Sequence, residues 1–142
     1  MLQPDKTPPA VVVHGLADIA RACAPGLRLA LLSAPGAAIF AGPGWWLALI
    51  RRAHTNHPGL IAADYLDCAD ASGLALAALR LGQKSLILDP ACPAFSGAVA
   101  TATALGARVR RTRPAALDLA ERNADRRLAA WLSQGDSARP LR

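Results

Sequence analysis

Polar and nucleophilic side chains stand at or just beyond the ends of short apolar runs in this chain, where a buried strand would finish. The residues that share this position are His14, Ser33, Asp67, Cys68, Asp70, Asp89 and Cys92. In open α/β sheets, ligands bind beyond the carboxyl ends of the strands. We therefore expect a ligand-binding site lined by His14, Ser33, Asp67, Asp70, Asp89 and Cys92.

Three of these residues, Asp67, Asp70 and Asp89, are candidates for acid–base or metal chemistry. Paired carboxylates can bind Mg²⁺ or divide into a general acid and a general base. Asp70 and Asp89 each also have a purely structural interpretation. Asp70 precedes Ala71-Ser72-Gly73, which suits a helix N-cap, and Asp89-Pro90 suits the start of a turn. The structural interpretation is favoured, and an enzyme that uses these carboxylates is the alternative hypothesis.

The cysteines and histidines give weaker signals. Cys68 or Cys92 could act as a nucleophile if a helix N-terminus or His14 stabilised the thiolate. Asp67 beside Cys68 would instead raise the pKa of that thiol. His54 and His57 are three residues apart, but no Cys or Asp stands at ligand spacing from them, so we predict no metal site there.

Fourteen of the sixteen basic residues are arginines, and the formal net charge is +6. Arg108, Arg110, Arg111 and Arg113 form the densest basic cluster. No aromatic residue is interleaved with them, and no helix-turn-helix or RNA-binding strand motif is present. A solvated edge strand is the simpler interpretation, and nucleic-acid binding through the C-terminal arginines is the second alternative. Neither a Walker A motif nor Gly-x-Gly-x-x-Gly occurs.

Short apolar runs alternate with alanine-rich helical stretches along the chain, which is typical of βαβ units. This pattern predicts a three-layer α/β domain with a mostly parallel sheet of four to five strands flanked by helices, flavodoxin-like or Rossmann-like in outline. The predicted strands are 11–14, 28–33, 60–66, 85–88 and 108–111. The predicted helices are 16–24, 43–54, 71–81 and 94–105, with a last one from Pro114 to Leu132.

One domain, 1–142, is expected from the length, with a Pro-rich leader over 1–9 and a polar tail over 134–142. Residues 29–50 carry no charge, but Pro35-Gly36 and Gly42-Pro43-Gly44 interrupt them, which favours a strand, a corner and a helix over a membrane span. The N-terminus lacks the apolar core of a signal peptide. The odd set of three cysteines fits a reducing compartment. We expect a cytoplasmic bacterial protein.

Adjacent tryptophans at 45 and 46 point about 100° apart on a helix, so one sheet covers only one of them. Trp131 and Leu132 widen the apolar stripe of the last predicted helix in the same way. This excess predicts a homodimer. The sequence as a whole favours a small α/β domain that binds a small ligand or a protein partner, without demonstrable catalysis.

Overall fold

Six strands and six helices make up the computed structural model, which describes residues 7–137, with side chains through residue 134. The strands are β1 (Ala10–Val12), β2 (Leu29–Leu32), β3 (Ile61–Asp67), β4 (Ser85–Ile87), β5 (Arg108–Arg110) and β6 (Ala116–Asp118). The helices are α1 (Leu16–Cys23), α2 (Ala37–Phe40), α3 (Pro43–Asn56), α4 (Ser72–Leu81), α5 (Phe95–Ala104) and α6 (Ala124–Ser137).

The strands form one parallel sheet in the order β5-β4-β3-β2-β1-β6. From β1 to β5 each strand lies beside its predecessor in the chain. Parallel crossovers are right-handed, so strands added in one direction place their helices on one face of the sheet. The contacts agree: α1 packs against α3, α3 against α4, and α4 against α5.

The core has two parts. The larger cluster joins these helices to one face of the sheet and includes Trp46, Leu31 and Leu66, all fully buried. The smaller cluster contains strand side chains from the opposite face, four of the six small or β-branched: Ala10, Val12, Ala30, Leu32, Tyr65 and Ile87. Alternate residues of each strand thus enter different clusters, as the period of two in a strand requires.

Residues 111–115, named the crossing segment here, connect β5 at one edge of the sheet to β6 at the opposite edge. Arg113 in its middle donates hydrogen bonds to the Asp67 carboxylate and to the Ser33 carbonyl, at the ends of β3 and β2. Asp67 is two residues after Tyr65 and shares its face of the sheet. The crossing segment therefore passes over the central strands on the side opposite the packed helices.

The predicted α/β class is confirmed: a parallel sheet flanked by helices, consistent with a three-layer domain of flavodoxin-like or Rossmann-like outline. The sheet has six strands where four to five were predicted. The prediction of one helix from Pro114 to Leu132 is wrong in its first half, because Ala116–Asp118 pair with β1 and the helix begins at Ala124. Leu117 is buried as a strand residue, and Asn123 takes a left-handed conformation (φ 63°) just before the helix.

The uncharged stretch over 29–50 divides into β2, α2 and α3, and α3 begins at Pro43 as predicted. Proline suits that position because the first helical N–H needs no partner within the helix. Among residues 7–137, no helix combines the length and the apolar character that crossing a bilayer requires. The predicted leader lies largely outside the described residues, and α6 continues into the first four residues of the predicted tail.

Candidate functional site

All six carboxyl ends of the strands face the same edge of the sheet, because every pair of neighbouring strands is parallel. Asp67 is the last residue of β3, Ser33 follows β2 directly, and His14 and Asp89 stand two residues beyond β1 and β4. The predicted residues therefore lie along one edge. They divide there into three groups with different surroundings.

Asp67 forms the central group and is almost completely buried. Its Oδ1 accepts hydrogen bonds from the N–H groups of Ala69 at 2.8 Å and Gly36 at 3.1 Å. Its Oδ2 accepts one from Nη1 of Arg113 at 2.7 Å. A buried carboxylate needs such partners to offset the loss of water. Because both oxygens are occupied, Asp67 holds three chain segments together and is not a free base.

Ser33 belongs to the same group. Its hydroxyl accepts the N–H of Asp67 at 2.9 Å and donates to the carbonyl of Ala34 at 3.0 Å. The residue is fully buried. Ser33 thus fixes the ends of β2 and β3 against each other and presents no group to a ligand.

The second group, Asp70 and Asp89, lines a cleft beside the central group. The cleft has a volume of about 430 Å³ and lies at the ends of β3, β4 and β5. It is lined by Asp67, Ala69, Asp70, Ile87, Asp89, Arg111, Thr112 and Arg113. The structure thus brings Asp67, Asp70 and Asp89 together in one cleft. Ser33, His14 and Cys92 are not among its lining residues.

Asp70 and Asp89 differ in what their carboxylates contact. Asp89 Oδ1 accepts the N–H of Ala91 at 2.9 Å, which fits its predicted role at the start of a turn. The predicted N-cap role of Asp70 is wrong, because α4 is preceded by Ala71 and has no side-chain cap. The Asp70 carboxylate is exposed and has no protein partner within residues 7–137.

Ala69, between Asp67 and Asp70, has a left-handed backbone with φ 51°. Its N–H binds Asp67 and its carbonyl accepts the N–H of Asp89 at 2.8 Å, so both peptide groups hold the cleft in shape. A left-handed conformation costs a residue with a Cβ about 1–2 kcal/mol. Strained backbone of this kind clusters at ligand sites.

We expect Ala69→Gly to raise the free energy of unfolding by about 0.5–1 kcal/mol, because the relief of strain exceeds the added entropy of glycine in the unfolded chain. Urea denaturation measures the difference. Ala71→Gly is the matched control, since Ala71 has φ −88° and should lose stability. Equal losses from both substitutions would show that the Ala69 backbone is not strained.

His14 and Asp118 form the third group, at the adjacent ends of β1 and β6. His14 Nε2 lies 2.8 Å from Asp118 Oδ1, and both side chains are about one-third exposed. This is the place where the strand order reverses, since β2 to β5 extend to one side of β1 and β6 lies on the other. Sequence reasoning did not find Asp118 because it placed this residue in a helix.

Burial opposes ionisation of Asp118, but hydrogen bonds from His14 and from the Ala120 N–H, with the charges of His14 and Arg113, lower its pKa overall. A carboxylate with a depressed pKa stabilises the fold above its unfolded value of about 4, and this contribution disappears as the pH falls through the folded pKa. Exposure limits the effect to about 1 kcal/mol.

We therefore expect Asp118→Asn to lower stability at pH 7 and to make little difference at pH 2.5. Denaturation of the parent chain and the variant at pH 7, 4 and 2.5 measures this. A difference in stability that does not change with pH would contradict the assignment.

The cysteines offer no nucleophile in the cleft. Burial, together with the charge of Asp67, raises the pKa of the Cys68 thiol to about 12, so its thiolate is not formed near neutral pH. Cys92 is half-buried in the corner between β4 and α5. The described part of the chain contains no group of three or more His, Cys, Asp or Glu side chains able to hold a metal ion.

Three of the four clustered arginines contact other side chains of the described residues. Arg110 lies over the ring of Tyr65 and Arg111 over the ring of Phe95, each at 5.3 Å from the ring centroid, while Arg113 is paired with Asp67. Arg111 and Arg113 line the cleft, which sequence reasoning missed because it treated them as solvated. The signal in the sequence was Asp67 itself. It stands at the end of a strand expected to be buried, where a carboxylate needs a charged or hydrogen-bonding partner.

The site as a whole combines a rigid floor with charged rim groups that form no ion pair within residues 7–134. Asp67, Ser33 and Arg113 form the floor, and Asp70, Asp89 and Arg111 surround the opening. Such an arrangement can bind and orient a small polar molecule. No protein-family model matches this chain, and no curated protein matches it at a significant level.

Proposed function

We propose that this protein binds a small polar ligand in the cleft at the carboxyl ends of β3, β4 and β5. One observation supports this most: the cleft of about 430 Å³ lies beyond the carboxyl ends of the strands, although away from the β1/β6 reversal, and its rim carries charged side chains that form no ion pair among the described residues. Binding without catalysis is favoured over the enzyme alternative. Of the three carboxylates that the alternative requires, Asp67 is already paired with Arg113.

The rigidity of the cleft supports binding as well. Asp67 ties the crossing segment to the ends of β2 and β3, and Asp89 is tied to Ala69 by a backbone hydrogen bond. A site that is already ordered loses less conformational entropy when a ligand enters. The cleft is thus prepared for a ligand before binding.

Amide chemical-shift mapping with a library of small polar fragments tests the proposal. We expect fragments that bind to shift the amide signals of Ala69, Asp70 and Thr112. Thr112→Trp should abolish these shifts, because the exposed Thr112 lines the cleft and an indole there would fill it. Thr55→Trp, on the exposed face of α3, is the matched control and should leave them unchanged. Shifts located elsewhere, or shifts insensitive to Thr112→Trp, would contradict the proposal.

We further propose that the protein is a bacterial cytoplasmic homodimer. Its three cysteines are all free, and its basic residues are overwhelmingly arginine. Trp46 and Trp131 no longer support a dimer, because Trp46 is buried in its own chain and Trp131 Nε1 donates to the carbonyl of Ala10 at 2.8 Å. The apolar surface lies instead on α2, where Ile39 is 54% and Phe40 69% exposed.

Light scattering at micromolar concentration decides the oligomeric state. We expect a mass near twice 14.7 kDa for the parent chain and a lower mass for Phe40→Ser. A mass near 14.7 kDa for the parent chain would contradict the dimer.

A further inference from the structure

We infer that the ligand of this cleft is a zwitterion of the α-amino-acid class, carrying one ammonium and one carboxylate group. The inference rests on the proposed function and specifies its ligand. It follows from the signs of the charges around the cleft that form no ion pair within the described residues.

The negative side of the cleft is formed by Asp70 and Asp89. Asp70 has no hydrogen bond or ion pair from its carboxylate among residues 7–137, and Asp89 uses only Oδ1, for the N–H of Ala91. Asp67 adds no free charge because Arg113 neutralises it at 2.7 Å. Two carboxylates are therefore available to accept hydrogen bonds from a ligand cation such as an ammonium group.

The positive side is Arg111. Its guanidinium lies over the Phe95 ring at 5.3 Å, which restricts its orientation, and it forms no ion pair with a carboxylate in the described part of the chain. A guanidinium binds a carboxylate through two parallel hydrogen bonds. Thr112, the next residue, also lines the cleft and offers a hydroxyl.

Unpaired charges of both signs thus share one cleft without neutralising each other. An anion alone would meet the repulsion of Asp70 and Asp89, and a cation alone would meet that of Arg111. A ligand with separated opposite charges can pair with the carboxylates and with the guanidinium at the same time. Ligands that carry only one of the two charges are repelled by the group of like charge, which makes the site selective. The volume of about 430 Å³ accommodates a molecule of this size.

The test uses saturation-transfer NMR on the full chain with three pools of probes. The first contains the proteinogenic L-amino acids with uncharged side chains, apart from proline, the second the corresponding primary amines and the third the corresponding deaminated carboxylic acids. We expect signals from the amino-acid pool alone. Titration of the strongest amino acid should then show a loss of affinity of at least about tenfold for Arg111→Gln and for the double variant Asp70→Asn/Asp89→Asn.

Arg108→Gln and the double variant Glu121→Gln/Asp125→Asn are the matched controls, because they make the same charge changes outside the cleft, and affinity should stay within about twofold. Binding of the amine pool or the acid pool at equal strength would overturn the inference while leaving a small-ligand site intact. If no pool binds and no fragment shifts the cleft amides either, the proposed function fails together with the inference. If fragments bind in the cleft but no amino acid does, only the inference fails.

Discussion

Trp46→Ala is expected to destabilise the protein by about 3–5 kcal/mol, the largest loss that we expect from a single substitution. The indole is fully buried between α3 and the sheet, and its Nε1 donates to Asp64 Oδ2 at 2.9 Å. Truncation would leave a cavity and remove one of the two side-chain donors to that carboxylate, the other being Gln83 Nε2. Urea denaturation followed by circular dichroism measures the loss.

Trp45 provides the control for this prediction, since it is the same residue type one position along the same helix and is only half-buried. We expect Trp45→Ala to cost less than half as much. Trp46→Phe, which keeps most of the volume and loses only the hydrogen bond, covers the case in which Trp46→Ala does not fold. Equal costs for Trp45→Ala and Trp46→Ala would show that the burial of Trp46 does not govern stability.

Asp67→Ala is expected to cost about 3 kcal/mol, because it removes three hydrogen-bond acceptor contacts at once and leaves Arg113 without its counter-charge. The pair is partly buried, with 6% of the Asp67 side chain and 28% of the Arg113 side chain exposed, so solvent compensates only in part. The crossing segment should also lose its attachment. Hydrogen exchange should accelerate at the amides of Gly36 and Ala69, because both lose the carboxylate oxygen that accepts them.

The exposed pair Glu121–Arg127 is the comparison for Asp67. Both of its side chains are more than half exposed, so Glu121→Ala should cost less than about 1 kcal/mol. Asp67→Asn should lie between Asp67→Ala and the parent chain, because the amide oxygen still accepts the N–H of Ala69. If Asp67→Ala were as mild as Glu121→Ala, the central role of Asp67 would be disproved.

The sequence allowed the first five strands to be predicted: four are short apolar runs bounded by Gly, Pro or polar residues, and the fifth, Arg108–Arg110, has the charged ends of an edge strand. The sixth was missed for a physical reason. Leu117, Ala120, Ala124 and Leu128 repeat with a helical period, although Leu117 and Leu119 are buried as alternate residues of a strand and its extension. Pairing with β1 decides between these two patterns, and that pairing involves residues more than a hundred positions away.

The site was predictable to a similar degree. The carboxylates at the ends of β3 and β4 were correctly placed near one another, since parallel strands end at one edge. Their arginine partners were not, because Arg111 and Arg113 reach the cleft only through the path of the crossing segment. Periodicity describes local structure and carries no information on where a connection of five residues travels.

That connection also constrains the shape of the whole sheet. Six strands at about 4.8 Å spacing place β5 and β6 about 24 Å apart along the surface of the sheet. The chain from Arg110 to Ala116 reaches about 20–22 Å even when fully extended. The sheet must therefore curve, with its concave side on the face that carries Ala10, Ala30 and Ala63 and that the crossing segment covers. The small side chains at these three positions on the concave face permit the curvature. A shorter crossing segment would pull β6 away from β1.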